Sequence, residues 1–213
     1  MGQLYTIGCS ILSLDDFIRN LKINGITVIA DVRSVPYSRA TPQFNRELLK
    51  ERLKKERIIY GDFSKEFGAR RKEFNAYDNN QVSFEKTKNL PEFIKGVERI
   101  CNGLSMGYNI ALMCTEKNPL ECHRFSLVSR GIFEKNRVLS YHILSDGSIV
   151  TTEQLEKKML AELRIQPDLF SNDSDQLKEA YKLINKKIGY LLPQKEEILD
   201  KEEFYEKDVC MFG

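Results

Sequence analysis

Apolar residues recur in two rhythms along this chain. "LYTIG" (4–8), "ITVIADV" (26–32), "IIYGDF" (58–63), "NIALMC" (109–114) and "VLSYHIL" (138–144) are short runs, several rich in β-branched residues, of the kind that form strands covered on both faces. Between them, "LDDFIRNLKING" places Leu14, Phe17, Ile18 and Leu21 on one helical face, with Gly25 positioned to end the helix. "RELLKERLKKERI" and "PEFIKGVERICNGL" repeat the helical period, the second opened by Pro91, and another helix is predicted from about Glu121 to Lys135. Five strands alternating with helices predict an α/β fold: a three-layer domain with a mainly parallel sheet flanked by helices.

Two stretches break the rhythm. Pro36 and Pro42 keep "RSVPYSRATPQFN" irregular, and residues 64–90 are polar without a clean period, which predicts a long excursion over the sheet edge. After residue 150 come the helical patterns "TTEQLEKKMLAEL", with Thr151 or Thr152 as N-cap, and "DSDQLKEAYKLINKKIGYL", joined by "RIQPDLFSN". The expected organisation is an α/β core over residues 1–150 and a C-terminal helical extension over 151–213. The charged residues beyond Leu192 are expected to be weakly anchored.

Composition narrows the function. With 41% hydrophobic residues in 213, the chain can bury a sizeable core, and a formal net charge of +2 argues against coating long tracts of nucleic acid. Five irregularly spaced cysteines favour free thiols over a disulfide framework, hence a reducing, cytoplasmic location. No apolar run reaches the ~20 residues that span a bilayer. Met1, Gly2 and Thr6 fit a loose myristoylation pattern, but they run straight into a strand. Nothing in the residues names a cofactor or an oligomeric state.

In open parallel sheets, ligands sit outside the carboxyl ends of the strands. Three polar groups fall there: Cys9 and Ser10 after the first strand, Asp31, Arg33, Ser34, Ser38 and Arg39 after the second, and "CTEKNPLECHR" after the fourth. Arginine grips planar anions bidentately, so Arg33, Arg39 and Arg124, with Arg70 and Arg71 from the excursion, suggest an anion site, and Asp31 would orient an arginine. Aromatic residues of the excursion, Phe67, Phe74 and Tyr77, would either stack on a base or pin the loop.

The cysteine loop admits three readings. Cys9, Cys114, Cys122 and His123 form a soft set suited to zinc or iron. Against that, eight residues separate Cys114 from Cys122, and Cys122 and His123 would diverge by about 100° if both were helical. No metal is therefore assigned. In the second reading, "DVR" followed by a strand-terminal cysteine and an arginine resembles fragments of a rhodanese or a cysteine-dependent phosphatase. The spacing from Cys114 to Arg124 departs from those families. In the third, the thiols line a pocket floor, and His123 and Glu116 carry acid–base chemistry. His142, in the last strand, reads as a core histidine.

"YTIGCS", "DVRSVPYSRATPQFN", "FGARR", "ALMCTEKNPLECHR", "HI" followed by "DG", and "EAYKLINKKIGY" together resemble the bacterial and archaeal domain-of-unknown-function family four-eight-eight, over roughly residues 3–190. The resemblance implies a single cytosolic α/β domain with a shared polar site. Where many members of that family read His in the first block, this chain has Cys9.

The expectation drawn from these residues is a protein, enzyme or enzyme-derived, that binds a phosphate-bearing small molecule or a nucleic-acid end, without a membrane partner. Its ligand-binding residues would be Arg33, Ser34, Ser38, Arg39, Arg124, Cys9, Ser10 and Arg70. Asp31, Cys114, Glu116, Cys122 and His123 are the catalytic candidates. The rival class is a non-catalytic regulatory module.

Overall fold

A computed structural model describes residues 1–165 and 173–193. Eight strands are found: β1 (Leu4–Gly8), β2 (Val28–Asp31), β3 (Ile59–Asp62), β4 (Tyr77–Asp78), β5 (Gln81–Val82), β6 (Ile110–Cys114), β7 (Ser140–Ile143) and β8 (Ile149–Thr151). Six of them form one sheet in the order β3-β2-β6-β1-β7-β8. All neighbours in it run parallel except β7 and β8. The helices are α1 (Leu14–Ile23), α2 (Arg46–Lys55), α3 (Ser64–Phe67), α4 (Phe84–Thr87), α5 (Pro91–Ser105), α6 (Arg130–Asn136), α7 (Thr152–Glu162) and α8 (Asp173–Ile188).

The period-2 geometry of a strand divides its side chains between two cores. Ala30, Val32, Leu112 and Cys114 pack with Val97, Ile100 and Leu104 of α5 on one face. Their neighbours Ile29, Ala111 and Met113 pack on the other with Phe17 and Leu21 of α1 and Leu49 and Leu53 of α2. This is the three-layer arrangement that the apolar runs predict. Local signals set the helix ends: Ser13 Oγ accepts from the Asp16 N–H to cap α1, and Gly25 leaves the helix region at φ +62°. Thr151 is the N-cap of α7, in a reciprocal capping box with Gln154.

The structure departs from the pattern reading in three places. The sixth strand, β8, is three residues long and straddles the expected boundary at residue 150, too short for alternation to reveal. Residues 64–90 are not a bare excursion: α3, the β4–β5 hairpin and α4 put Phe67, Ala76, Val82 and Phe84 into the first core. Those elements have two to four residues each, below the length at which a period shows. The helix expected from Glu121 begins at Arg124 with a π-helical segment, Arg124–Ser129, that continues into α6. The charged stretch beyond Leu192 lies, but for Pro193, outside the described residues. Among the described residues no helix is long and apolar enough to cross a membrane.

Leu120 and Phe125, next to the cysteine loop, pack with Leu155 and Met159 of α7 and with Ala180, Tyr181 and Ile184 of α8. The C-terminal helices thus abut the segment that carries the candidate chemistry.

Candidate functional site: thiols, a carboxylate and an imidazole on a cleft floor

β6 ends at Cys114, and the chain then makes a short loop through Glu116 and a 3₁₀ turn, Pro119–Glu121, capped by Asn118. Cys122 is extended (φ −133°, ψ 136°), and only His123 turns into the helix region. That break in conformation matters. Two adjacent helical side chains would diverge, whereas the extended Cys122 lets its thiol and the His123 ring face the same space as Cys114.

Arg124 closes the loop. It is fully buried, and its Nη1 donates to the carbonyl of Glu116 at 2.6 Å and its Nη2 to that of Lys117 at 3.2 Å. Gly8, at the end of β1, leaves room for the same carbonyl: a Cβ there would collide with the Glu116 oxygen.

The result is a compact cluster. Sγ of Cys114 and Sγ of Cys122 each lie 3.0 Å from Oε2 of Glu116, and Cys114 Sγ is 3.6 Å from His123 Nδ1. One donor atom from each of these four residues lies within 4.8 Å of all the others. His123 Nε2 is 3.0 Å from the carbonyl of Val32, which can only accept, so Nε2 carries a proton and Nδ1 faces the thiols.

Electrostatics distinguishes the two thiols. Cys114 is held well above the usual thiol range by its hydrogen bond to Cys122 and by burial. At Cys122 burial works against ionisation but is outweighed by the Cys114 hydrogen bond, the Arg124 charge and His123, so its thiol is held low. Glu116 is exposed as a residue, but its carboxyl is turned down onto the thiols, and the resulting partial burial, followed by the Cys122 charge, raises it. At His123 burial is overcome by the hydrogen bond to Cys122 and by the charge there, and the imidazole is raised. The two thiols are thus driven in opposite directions and titrate as a pair.

A cleft of about 440 Å³ opens above this floor, lined by Cys114, Glu116 and His123 on one side and by Arg33, Ser34, Ser38 and Arg70 on the other. Arg33 is buried. Asp31 grips it through Nε (2.9 Å) and Nη2 (2.6 Å), and Nη2 also donates to the Phe44 carbonyl. Tyr60 donates to the same carboxylate at 2.8 Å, and burial followed by that charge raises its phenol. Arg70 is exposed, and its guanidinium lies 5.2 Å from the centre of the Tyr190 ring.

The remaining candidates lie elsewhere. Arg124 does not line the cleft; it holds loop carbonyls beneath it. Arg39 lines an adjoining depression that shares Tyr37 and Ser38 with the cleft. Cys9 is buried in the second core, where burial pushes its thiol up to about 12, and Ser10 hydrogen-bonds through its N–H to the Thr115 carbonyl. Arg71 is buried and bonds Glu73 together with the carbonyls of Lys65, Glu66 and Gly68. Phe67 and Tyr77 pin the excursion to the core, and Phe74 is exposed. Sequence reasoning missed Thr115, Glu121, Tyr37 and Tyr190 in the cleft wall. Only Tyr190 had a usable signal, in the block "EAYKLINKKIGY".

A comparison with protein families decides the chain's affiliation. The family described as Domain of unknown function DUF488 matches residues 13–130, more than half of the chain. The chain belongs to the DUF488 family. The matched DUF488 region runs from α1 to the start of α6 and contains the whole four-residue cluster; Cys9 and Tyr190 fall outside it. Neither the curated proteins nor the solved structures contain a significant match.

Proposed function

We propose that the cleft binds a small phosphate-bearing ligand, such as a nucleotide or a nucleic-acid end, and that His123 and Glu116 act on it as acid–base groups. The observation that carries this reading is the position of Arg70. The exposed Arg70 lines the same cleft as Cys114, Glu116 and His123. Arg33 backs it from the wall with its orientation fixed by Asp31, and Ser34 and Ser38 add hydroxyls. A volume near 440 Å³ at the carboxyl ends of β2 and β6 suits a small ligand. The near-neutral net charge agrees with a local anion site rather than with long nucleic-acid tracts.

A cysteine-dependent hydrolase is less well supported. Cys114 lines the cleft but its thiol is held up, while Cys122, whose thiol is held low, does not line the cleft.

The test is calorimetric titration of the full chain with inorganic phosphate and nucleoside monophosphates, native against Arg70→Ala. Losing one charge-assisted contact is expected to weaken binding about 10-fold. If no phosphate compound binds, or if Arg70→Ala binds as well as the native protein, the reading is wrong.

A further inference from the structure

We propose that Cys114, Glu116, Cys122 and His123 hold one divalent transition metal ion of the zinc or ferrous class. The inference keeps the anion site of Arg70 but replaces the acid–base roles of His123 and Glu116, because a lone pair given to a metal is not free to take a proton; it rests on the donor atoms alone.

Three observations carry it. The first is separation. A tetrahedral ion with metal–sulfur bonds of about 2.3 Å and metal–nitrogen bonds of about 2.0 Å needs donor atoms roughly 3.3–3.8 Å apart. Here four donor atoms lie within 4.8 Å of one another, with the closest measured pairs at 3.0 Å and 3.6 Å. Small side-chain adjustments would bring all four onto one ion.

The second is orientation. Histidine ligands ordinarily donate their second ring N–H to a carbonyl or carboxylate, which fixes the tautomer and aims the lone pair. His123 Nε2 does this to the Val32 carbonyl at 3.0 Å, leaving Nδ1 turned toward the sulfurs. Val32 follows β2 directly, so the ring is fixed against the sheet.

The third is chemistry and access. Two thiols, an imidazole and one carboxylate are a borderline-soft set that selects zinc or ferrous iron over magnesium or calcium. Cys122 and His123 are buried, whereas Glu116 is exposed and lines the cleft with Cys114 and His123. The carboxylate is therefore the ligand placed to yield its position to a molecule in the cleft, as catalytic metal sites require. Such an ion would also supply positive charge at the floor, where Arg124 is committed to backbone carbonyls.

Full-length protein purified without a histidine tag should carry close to one equivalent of zinc or iron by elemental analysis. After chelation, it should bind one equivalent of Co²⁺ with a thiolate-to-cobalt charge-transfer band. Cys122→Ser should raise the Co²⁺ Kd at least ~100-fold and diminish the band, since even outer-sphere partners of a metal account for ~10–100-fold. Cys101→Ser, in α5, should bind as the native protein does. Glu116→Gln, at an exposed position, should weaken binding about 10-fold and guards against a folding defect in the cysteine variant. The proposal is overturned if no Co²⁺ binds, if it binds without the charge-transfer band, or if Cys122→Ser and Glu116→Gln both bind like the native protein. Phosphate titration of Arg70→Ala reads the anion site separately, so the two proposals fail independently.

Discussion

The guanidinium of Arg124 donates to the main-chain oxygen of Glu116 across 2.6 Å, although the two residues are eight positions apart. The contact folds the cysteine loop back on itself and returns Cys122 to the side of Cys114. A buried arginine whose two Nη atoms bond carbonyls rather than a carboxylate acts here as a loop clasp, and Arg124→Ala should destabilise the fold by about 2–4 kcal/mol. Urea denaturation measures this, and Arg124→Lys should restore little, because one ammonium cannot reproduce the fork. Equal midpoints for native and alanine variants would remove the clasp from the account.

Gly8 should be as intolerant. Gly8→Ala puts a methyl group against the Glu116 carbonyl, with the Arg124 Nη2 also only 3.2 Å away. The expected cost is ~1–3 kcal/mol, read from the shift in thermal midpoint, together with a change in alkylation of Cys114 and Cys122 as the loop moves.

Asp31 and Arg33 form a buried pair joined by two hydrogen bonds from the guanidinium. Removing either partner alone strands a buried charge and should cost roughly 3–5 kcal/mol. The double variant Asp31→Asn, Arg33→Met should cost clearly less than the sum of the singles. A double-mutant cycle by chemical denaturation decides; strict additivity would mean that the pair is not coupled.

His142 predicts a pH dependence. Its Nδ1 lies 2.9 Å from Thr6 Oγ1 and its Nε2 3.1 Å from Thr152 Oγ1. Thr152 donates its own proton to the Ser140 carbonyl, so it accepts from Nε2, and the neutral ring then accepts at Nδ1 from the Thr6 hydroxyl. Burial, and then the Arg124 charge, lower the folded pKa to about 3, from 6.5. The unfolded chain therefore takes up the proton first as pH falls. The contribution of His142 to stability is complete above about pH 6.5 and is lost progressively toward pH 3, on the order of 4 kcal/mol across that window. His142→Gln should flatten the stability profile between pH 6 and pH 4 relative to the native protein, with the carboxylates cancelling in the comparison. Parallel profiles would place His142 protonated in the fold.

The five runs that predict strands do so because buried parallel strands must be apolar on both faces, and β1, β2 and β6 show this in Leu4 and Ile7, Ala30 and Ile29, and Leu112 and Ala111, one of each pair in each core. β8 and the elements within residues 64–90 escape notice because alternation needs more residues than they have. The soft set read from the sequence named Cys9 with Cys114, Cys122 and His123; in the structure Glu116 takes the fourth place and Cys9 lies in the second core, and the convergence of the group was not legible. The spacing argument assumed that Cys122 and His123 are both helical, and the extended backbone at Cys122 removes that assumption. Arg124 illustrates a different limit. Its partners are main-chain oxygens, which leave no trace in side-chain identity, so a loop clasp reads like a ligand-binding arginine.

The strand order also shapes how the chain matures during synthesis. β6 sits between β1 and β2, pairing Ile110 with both Leu4 and Val28, and β7 takes the other edge of β1. Until residues 110–114 have left the ribosome, β1 and β2 have no shared neighbour and both present bare edges along the facing gap. Before β6 emerges, β2 has only β3 to pair with and β1 has no strand partner, and unpaired edges of this kind are open to pairing with other chains. When β6 fills the gap, Cys114 is drawn in beside Gly8, so the corner that holds the four-residue cluster is built on the strand that joins β1 to β2.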